Sequence, residues 1–172
     1  MTPPEPGVVT PPERVPVHVT FVCTGNICRS PMADRIVATA VERAGLADEV
    51  QVTSAGTGSW HVGDRADARA RAELERHGYP SAHTARHVDD DILSADLIIA
   101  LDRGHAKALR ALGADPSRVR LLREFDPQAV GDLSVADPYY GSARDFAEVR
   151  EQIEAAVPGL LEEIRTLVGT DR

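Results

Sequence analysis

Apolar residues fall along this chain in short runs that alternate with longer stripes, and the two kinds imply different elements. Residues 17–22, Val17-His18-Val19-Thr20-Phe21-Val22, are mostly β-branched or aromatic and run into Cys23-Thr24-Gly25-Asn26, the pattern of a buried strand entering a tight loop. Ser30 as N-cap and Pro31 at the first helical position then open a predicted helix. Its stripe is Met32, Ile36, Val37, Ala40 and Val41, and Gly45 stops it. A second strand is predicted over 49–54, followed by Gly56, Gly58 and Gly63, and a helix over about 66–77 ends at Gly78. Residues 96–101 are apolar after Asp96, as expected of a strand covered on both faces. A helix over 104–112 and a short strand over 119–122 follow. After a long loop containing Asp137-Pro138, a last helix begins near Ser142. It carries Phe146, Val149, Ile153, Val157, Leu160, Leu161, Ile164 and Leu167 on one side, with Pro158 expected to kink it.

Strands alternating with helices predict an α/β fold: one three-layer domain with a four-stranded parallel sheet and helices on both faces. Ligands of such sheets bind at the carboxyl ends of the strands, and the loop beginning at Cys23 lies at one of them. Before the first strand, Pro3, Pro4, Pro6, Pro11, Pro12 and Pro16 stand among few apolar residues. Residues 1–16 are therefore expected to form a disordered proline-rich tail without the character of a signal peptide, leaving 17–172 as the domain.

Composition narrows the partners. The 172 residues include 27 acidic and 19 basic side chains, a formal charge of -8, with no long basic run, so nucleic acid is not expected. No apolar run approaches the roughly 20 residues needed to span a bilayer, so neither is a membrane. Two cysteines, Cys23 and Cys28, are too few and too close in sequence for a disulfide framework and point to a reducing cytoplasmic compartment. An acidic chain that binds an anion must concentrate positive potential in one small pocket.

The segment 23–30 offers such a pocket. Consecutive backbone N–H groups opening a helix surround an anion with donors and add a favourable dipole. Arg29, at the helix entrance, can fork onto two phosphate oxygens, which a lysine cannot do. Cys23 faces the same donors, which are expected to stabilise its thiolate for attack on phosphorus, with Ser30 donating its hydroxyl to the sulfur. Gly25 allows close approach to the backbone, and Asn26 tolerates a left-handed conformation while bracing the loop with its amide.

Val22-Cys23-Thr24-Gly25-Asn26-Ile27-Cys28-Arg29-Ser30-Pro31 resembles the signature loop of the low-molecular-weight protein-tyrosine phosphatases, and the resemblance extends from about residue 17 to 167. It implies hydrolysis of phosphotyrosine through a phosphocysteine on Cys23, with Arg29 binding the phosphate. Asp137, in Asp137-Pro138-Tyr139-Tyr140, is implied as the general acid and base. Trp60, Tyr139 and Tyr140 are implied as pocket walls, and His83 as a brace for the loop asparagine. Neither a metal nor another cofactor is required by this chemistry. The implied partners are phosphotyrosine proteins, and the molecule is expected to act as a monomer.

For Cys28, packing under the loop and a redox role, trapping oxidised Cys23 as a disulfide, stand as equal alternatives. Asp102, at the end of the third strand, is left open, and His18, His61, His77, His87 and His105 receive no role. Two other enzymes share this kind of loop. A thiol-linked arsenate reductase needs further cysteines after Cys28, and the chain has none. Protein-arginine phosphatases carry threonine where this chain has Ile27. A binding module without turnover would have no use for both Cys23 and Asp137.

Overall fold

The computed structural model describes residues 15–170, so the expected proline-rich tail lies outside the described residues except for Val15 and Pro16. Four strands, β1 (Val17–Cys23), β2 (Val50–Gly56), β3 (Leu97–Ala100) and β4 (Val119–Leu121), form one sheet in the order β2-β1-β3-β4. All three neighbouring pairs are parallel. The helices are α1 (Arg29–Arg43), α2 (Ala68–Arg76), α3 (Asp90–Leu93), α4 (Arg103–Ala111) and α5 (Ala143–Gly169). The α/β fold with a four-stranded parallel sheet is thus as the sequence predicts.

Side-chain alternation along the strands divides the interior in two. Val17, Val19, Phe21, Leu97 and Ile99 pack with α1, α2 and α5 through Met32, Ile36, Leu74, Phe146, Val149 and Ile153. Val22, Ile98 and Ala100 pack on the opposite face with Ile92, Ala106 and Leu109 of α3 and α4. Both faces of β3 are therefore covered, which is why its sequence shows no polar alternation. Burying a side chain such as Phe21 or Ile99 fully contributes about 2 kcal/mol relative to exposure, so these two clusters supply the main driving force for the fold.

Several boundaries differ from expectation, each for a local reason. α1 starts at Arg29 rather than Pro31, and its N-cap position, Cys28, makes no side-chain capping bond. Ser30 does not cap because its hydroxyl is turned to Cys23. α2 starts at Ala68 because the Asp67 side chain accepts from the Arg69 N–H and caps it there. α5 begins after Ser142, as expected, and is one helix of 27 residues with Pro158 inside it. Ile153, Ala156, Leu160 and Ile164 stay buried on both sides of the proline, and that packing outweighs the missing backbone donor. The four-residue α3 and the 3-10 turns Pro116–Arg118 and Leu122–Phe125 are too short to leave a periodic signal.

In the order β2-β1-β3-β4 the chain moves from β1 to one side, then crosses back to the other. The carboxyl ends of β1 and β3 thus meet at the point where the winding reverses, where an open α/β sheet leaves a crevice. Cys23, the last residue of β1, lies there. Among the described residues, no helix is long and apolar enough to cross a membrane.

Candidate active site

A cavity of about 230 Å³ opens at this point, lined by Cys23, Thr24, Gly25, Ile27, Cys28 and Arg29 from the loop and by Trp60, His61, Asp137, Tyr139 and Tyr140 from two later segments. Three pieces of sequence separated by tens of residues thus converge on one crevice. Trp60 is 76% exposed and Tyr140 93%, so both stand at the mouth of the cavity rather than in the core.

Asn26 and Ser30 lie behind the loop and organise it. Asn26 is fully buried and adopts φ of 57°, a left-handed conformation that asparagine tolerates better than most residues. Its Nδ2 donates to Ser30 Oγ at 2.8 Å and to Ser54 Oγ at 3.0 Å, and its Oδ1 accepts from the Arg86 N–H at 3.0 Å. Both amide protons are thereby used. Since Ser30 Oγ accepts one of them, its own proton is free for Cys23 Sγ, 2.8 Å away. Ser54 in turn donates to Asp34 Oδ2 at 3.0 Å, ending the chain on a buried carboxylate. His83 Nε2 lies 2.8 Å from the Asn26 carbonyl oxygen. Burial lowers the His83 pKa, so the ring is a neutral donor to that carbonyl.

Arg29 is nearly buried and held from two sides. Nη1 donates to Asp102 Oδ2 and to the Val135 carbonyl, both at 2.9 Å, while Nη2 lies 3.7 Å from Asp137 Oδ2 at the rim. Asp102 caps α4 through the His105 N–H at 2.9 Å. Burial opposes its ionisation, but that N–H and the Arg29 guanidinium overcome it and hold the carboxyl below its usual range. His105 completes the arrangement. Its Nε2 lies 2.8 Å from Thr24 Oγ1, and its Nδ1 faces Asp102 Oδ1 at 3.2 Å, outside good hydrogen-bond alignment. Burial pushes the His105 pKa down to about 4, so the imidazole is neutral near pH 7 and adds no competing cation beside Arg29.

Cys28 is buried next to Asp67, and desolvation first, then that carboxylate, push its thiol up to about 12. It remains a thiol at neutral pH. Gly56, the last residue of β2, lies beneath the loop, where a Cβ would fall 2.6 Å from the Thr24 carbonyl oxygen and 3.1 Å from the Asn26 nitrogen. Among the described residues, no group of three or more His, Cys, Asp or Glu side chains is arranged to hold a metal ion.

The family model for low molecular weight phosphotyrosine protein phosphatases matches residues 18–168, nearly the whole described fold. The chain belongs to this family. It is 58% identical over 146 residues to low molecular weight protein-tyrosine phosphatase A of Mycobacterium tuberculosis, covering 84% of this chain and 90% of that one. It is 52% identical over 156 residues to the low molecular weight protein-tyrosine-phosphatase of Streptomyces coelicolor, covering 88% and 95%. The crystal structure of YfkJ from Bacillus subtilis superposes with a TM-score of 0.82 at 32% identity, covering 89% of this chain and 97% of that chain. The molecule is therefore a phosphatase.

Asp102, His61, His105, Ser54, Asp34 and Gly56 of this phosphatase all touch the loop, its support or the cavity, although the sequence alone assigns them no role there. One signal was present: Asp102 follows a buried strand and precedes His105 by three residues, a capping pair at the active edge of the sheet. The Asn26–Ser54–Asp34 chain has no such signal, since its members come from three elements.

Proposed function

We propose that this phosphatase hydrolyses the phosphate monoester of tyrosine in proteins, with Cys23 as nucleophile. The observation that carries the reading is the Cys23 sulfur in the cavity, 2.8 Å from the Ser30 hydroxyl, with Asp137 on the rim. The Cys23 thiolate attacks phosphorus, forming the P–S bond as the bond to the tyrosyl oxygen breaks. Asp137, protonated, gives its proton to that oxygen. The resulting carboxylate takes a proton from water, whose oxygen attacks phosphorus; the P–S bond breaks and inorganic phosphate leaves. The Ser30 hydroxyl supports the departing thiolate, and Arg29 with the loop amides balances charge on the phosphoryl oxygens. Trp60, Tyr139 and Tyr140 give the cavity the depth and aromatic walls that suit a phenyl ring. A phosphoserine side chain is too short to reach its floor.

Cys28 packs under the loop beside Cys23, where burial first and then the Asp67 carboxylate push its thiol up to about 12. We also place the enzyme in the cytoplasm as a monomer, in line with its two free cysteines.

The deciding experiment compares wild type with Cys23→Ser on phosphotyrosine, phosphoserine, phosphothreonine and phosphoarginine peptides. Wild type should turn over phosphotyrosine in preference to the rest. The variant should lose turnover while keeping inorganic phosphate affinity, and substantial residual activity would sink the assignment.

A further inference from the structure

Asp67 and Arg69, at the start of α2, connect the two halves of the active site. The Asp67 N–H donates to the Ile27 carbonyl at 2.8 Å, fastening the start of α2 to the middle of the Cys23 loop. The Asp67 carboxylate grips the Arg69 guanidinium with both oxygens, accepting from Nε and from Nη2 at 3.0 Å each. That fork fixes the direction of a long side chain that otherwise samples many rotamers. The guanidinium reaches the segment carrying Asp137. Nη2 donates to the Tyr139 carbonyl at 2.9 Å, and Nη1 lies 3.3 Å from the Gly141 carbonyl oxygen. Its flat face sits 4.6 Å from the centre of the buried Phe146 ring and 5.7 Å from that of Tyr139.

The segment that Arg69 holds is short and closed on itself. The Tyr139 N–H donates to Asp137 Oδ1 at 3.1 Å, and the Gly141 N–H to the Pro138 carbonyl at 2.9 Å. Arg69 thus grips the far side of the turn whose near side presents Asp137. Asp137 itself is half exposed, and the other charged contact the turn offers it is Arg29 at 3.7 Å. The near side of the segment is tied at Val135, whose N–H donates to the Leu101 carbonyl at 2.7 Å and whose carbonyl accepts from Arg29 at 2.9 Å, so Arg69 supplies the tie on the far side.

We propose that Arg69, oriented by Asp67, is a positioning residue that sets the acid-bearing turn over the nucleophile loop and thereby the proton transfer from Asp137. This rests on the reading of Asp137 as general acid. Its signature differs from that of a merely structural residue. A misplaced acid matters when the leaving oxygen is basic and hardly at all when it leaves unaided, so the loss depends on the leaving group.

The test measures phenol release in the first turnover for aryl phosphates of graded leaving-group acidity. The proteins are wild type, Asp137→Ala, Arg69→Met, Arg69→Lys and the double variant Arg69→Met/Asp137→Ala. Arg69→Met keeps apolar bulk over Phe146. It should slow phenyl phosphate about tenfold and a dinitrophenyl phosphate less than about twofold, a fraction of the full worth of a general acid. Arg69→Lys, which keeps charge but loses the fork, should fall with Met rather than with wild type. Inorganic phosphate affinity should be unchanged, and Arg69→Met should add nothing in the Asp137→Ala background. Equal losses for good and poor leaving groups, or a matching loss of phosphate affinity, would overturn the proposal. A flat profile for Asp137→Ala would overturn the acid assignment beneath it, whereas a steep one beside a wild-type-like Arg69→Met profile would overturn the brace alone.

Discussion

Asn26 holds the loop from three sides. One side chain supplies two donors and an acceptor to three different segments, the two donated bonds buried and the accepted one partly so, and its backbone occupies a left-handed conformation. Replacing it with alanine leaves the Arg86 N–H, Ser30 and Ser54 each short of a partner and puts a residue less tolerant of positive φ in its place. At roughly 1 to 3 kcal/mol for each unsatisfied buried group, Asn26→Ala should cost on the order of 3 kcal/mol after relaxation, measured by urea unfolding. It should also release Ser30 from its orientation, so activity should fall even where the protein remains folded. Asn26→Asp is a sharper probe. It preserves shape and φ but removes both amide protons, and it should lose turnover with little change in overall structure by circular dichroism. Asp137 belongs to the same scale. Its replacement by alanine should slow poor leaving groups far more than good ones in the first turnover, and a uniform loss would remove it from the acid role.

Elements set what the residues can do. α1 opens without a side-chain cap, so its first N–H groups are available to an anion, and the hydroxyl that could have capped it serves the nucleophile instead. β2 supplies the floor of the loop through Gly56, which the loop backbone crosses too closely for any Cβ. Gly56→Ala should push Thr24 and Asn26 outward and weaken inorganic phosphate binding by about tenfold, read as competitive inhibition, while thermal unfolding shifts far less. Unchanged phosphate affinity would mean that the loop adapts without cost. α4 contributes through its first turn, where Asp102 holds Arg29 and His105 reaches Thr24. Both ends of the loop are therefore referred to one helix.

At the scale of the whole molecule, three histidines are held with pKa values below their ordinary one: His18, His83 and His105, the last at about 4. Burial is the leading cause for each. Unfolding exposes them to water, where they take up protons near pH 6.5, so below that pH the unfolded chain binds more protons than the native one. Their contribution to stability is therefore complete above about pH 6.5 and is lost as pH falls through the folded values, for His105 through about 4. His105 alone accounts for up to about 3 kcal/mol across this window. Urea unfolding from pH 7 to 4 should show the decline, and His105→Asn should flatten it; an unchanged slope would contradict the assignment. The alternation of strands and helices and the strand-loop-helix unit from Val17 to Arg43 were legible in sequence because each depends on local periodicity and on residues within one segment, whereas the order of strands in the sheet was not. The nucleophile loop was legible too, because its chemistry is contiguous. The convergence of Trp60 and Asp137 on it was inferred by resemblance alone, since no local rule ties residues so distant. Asp102 and His105 left only the spacing of a capping pair in the sequence, and the roles of Ser54, Asp34, Gly56 and the Asp67–Arg69 pair became visible only in the folded chain. Each is an ordinary capping, turn or surface residue by its neighbours in sequence, and it acquires its role from a parallel sheet that brings the ends of separate strands to one edge. The sequence by itself determined the loop and the alternating strands and helices that surround it, and the tertiary structure decided which carboxylates and amides hold that loop in register, because those contacts form only after long loops close.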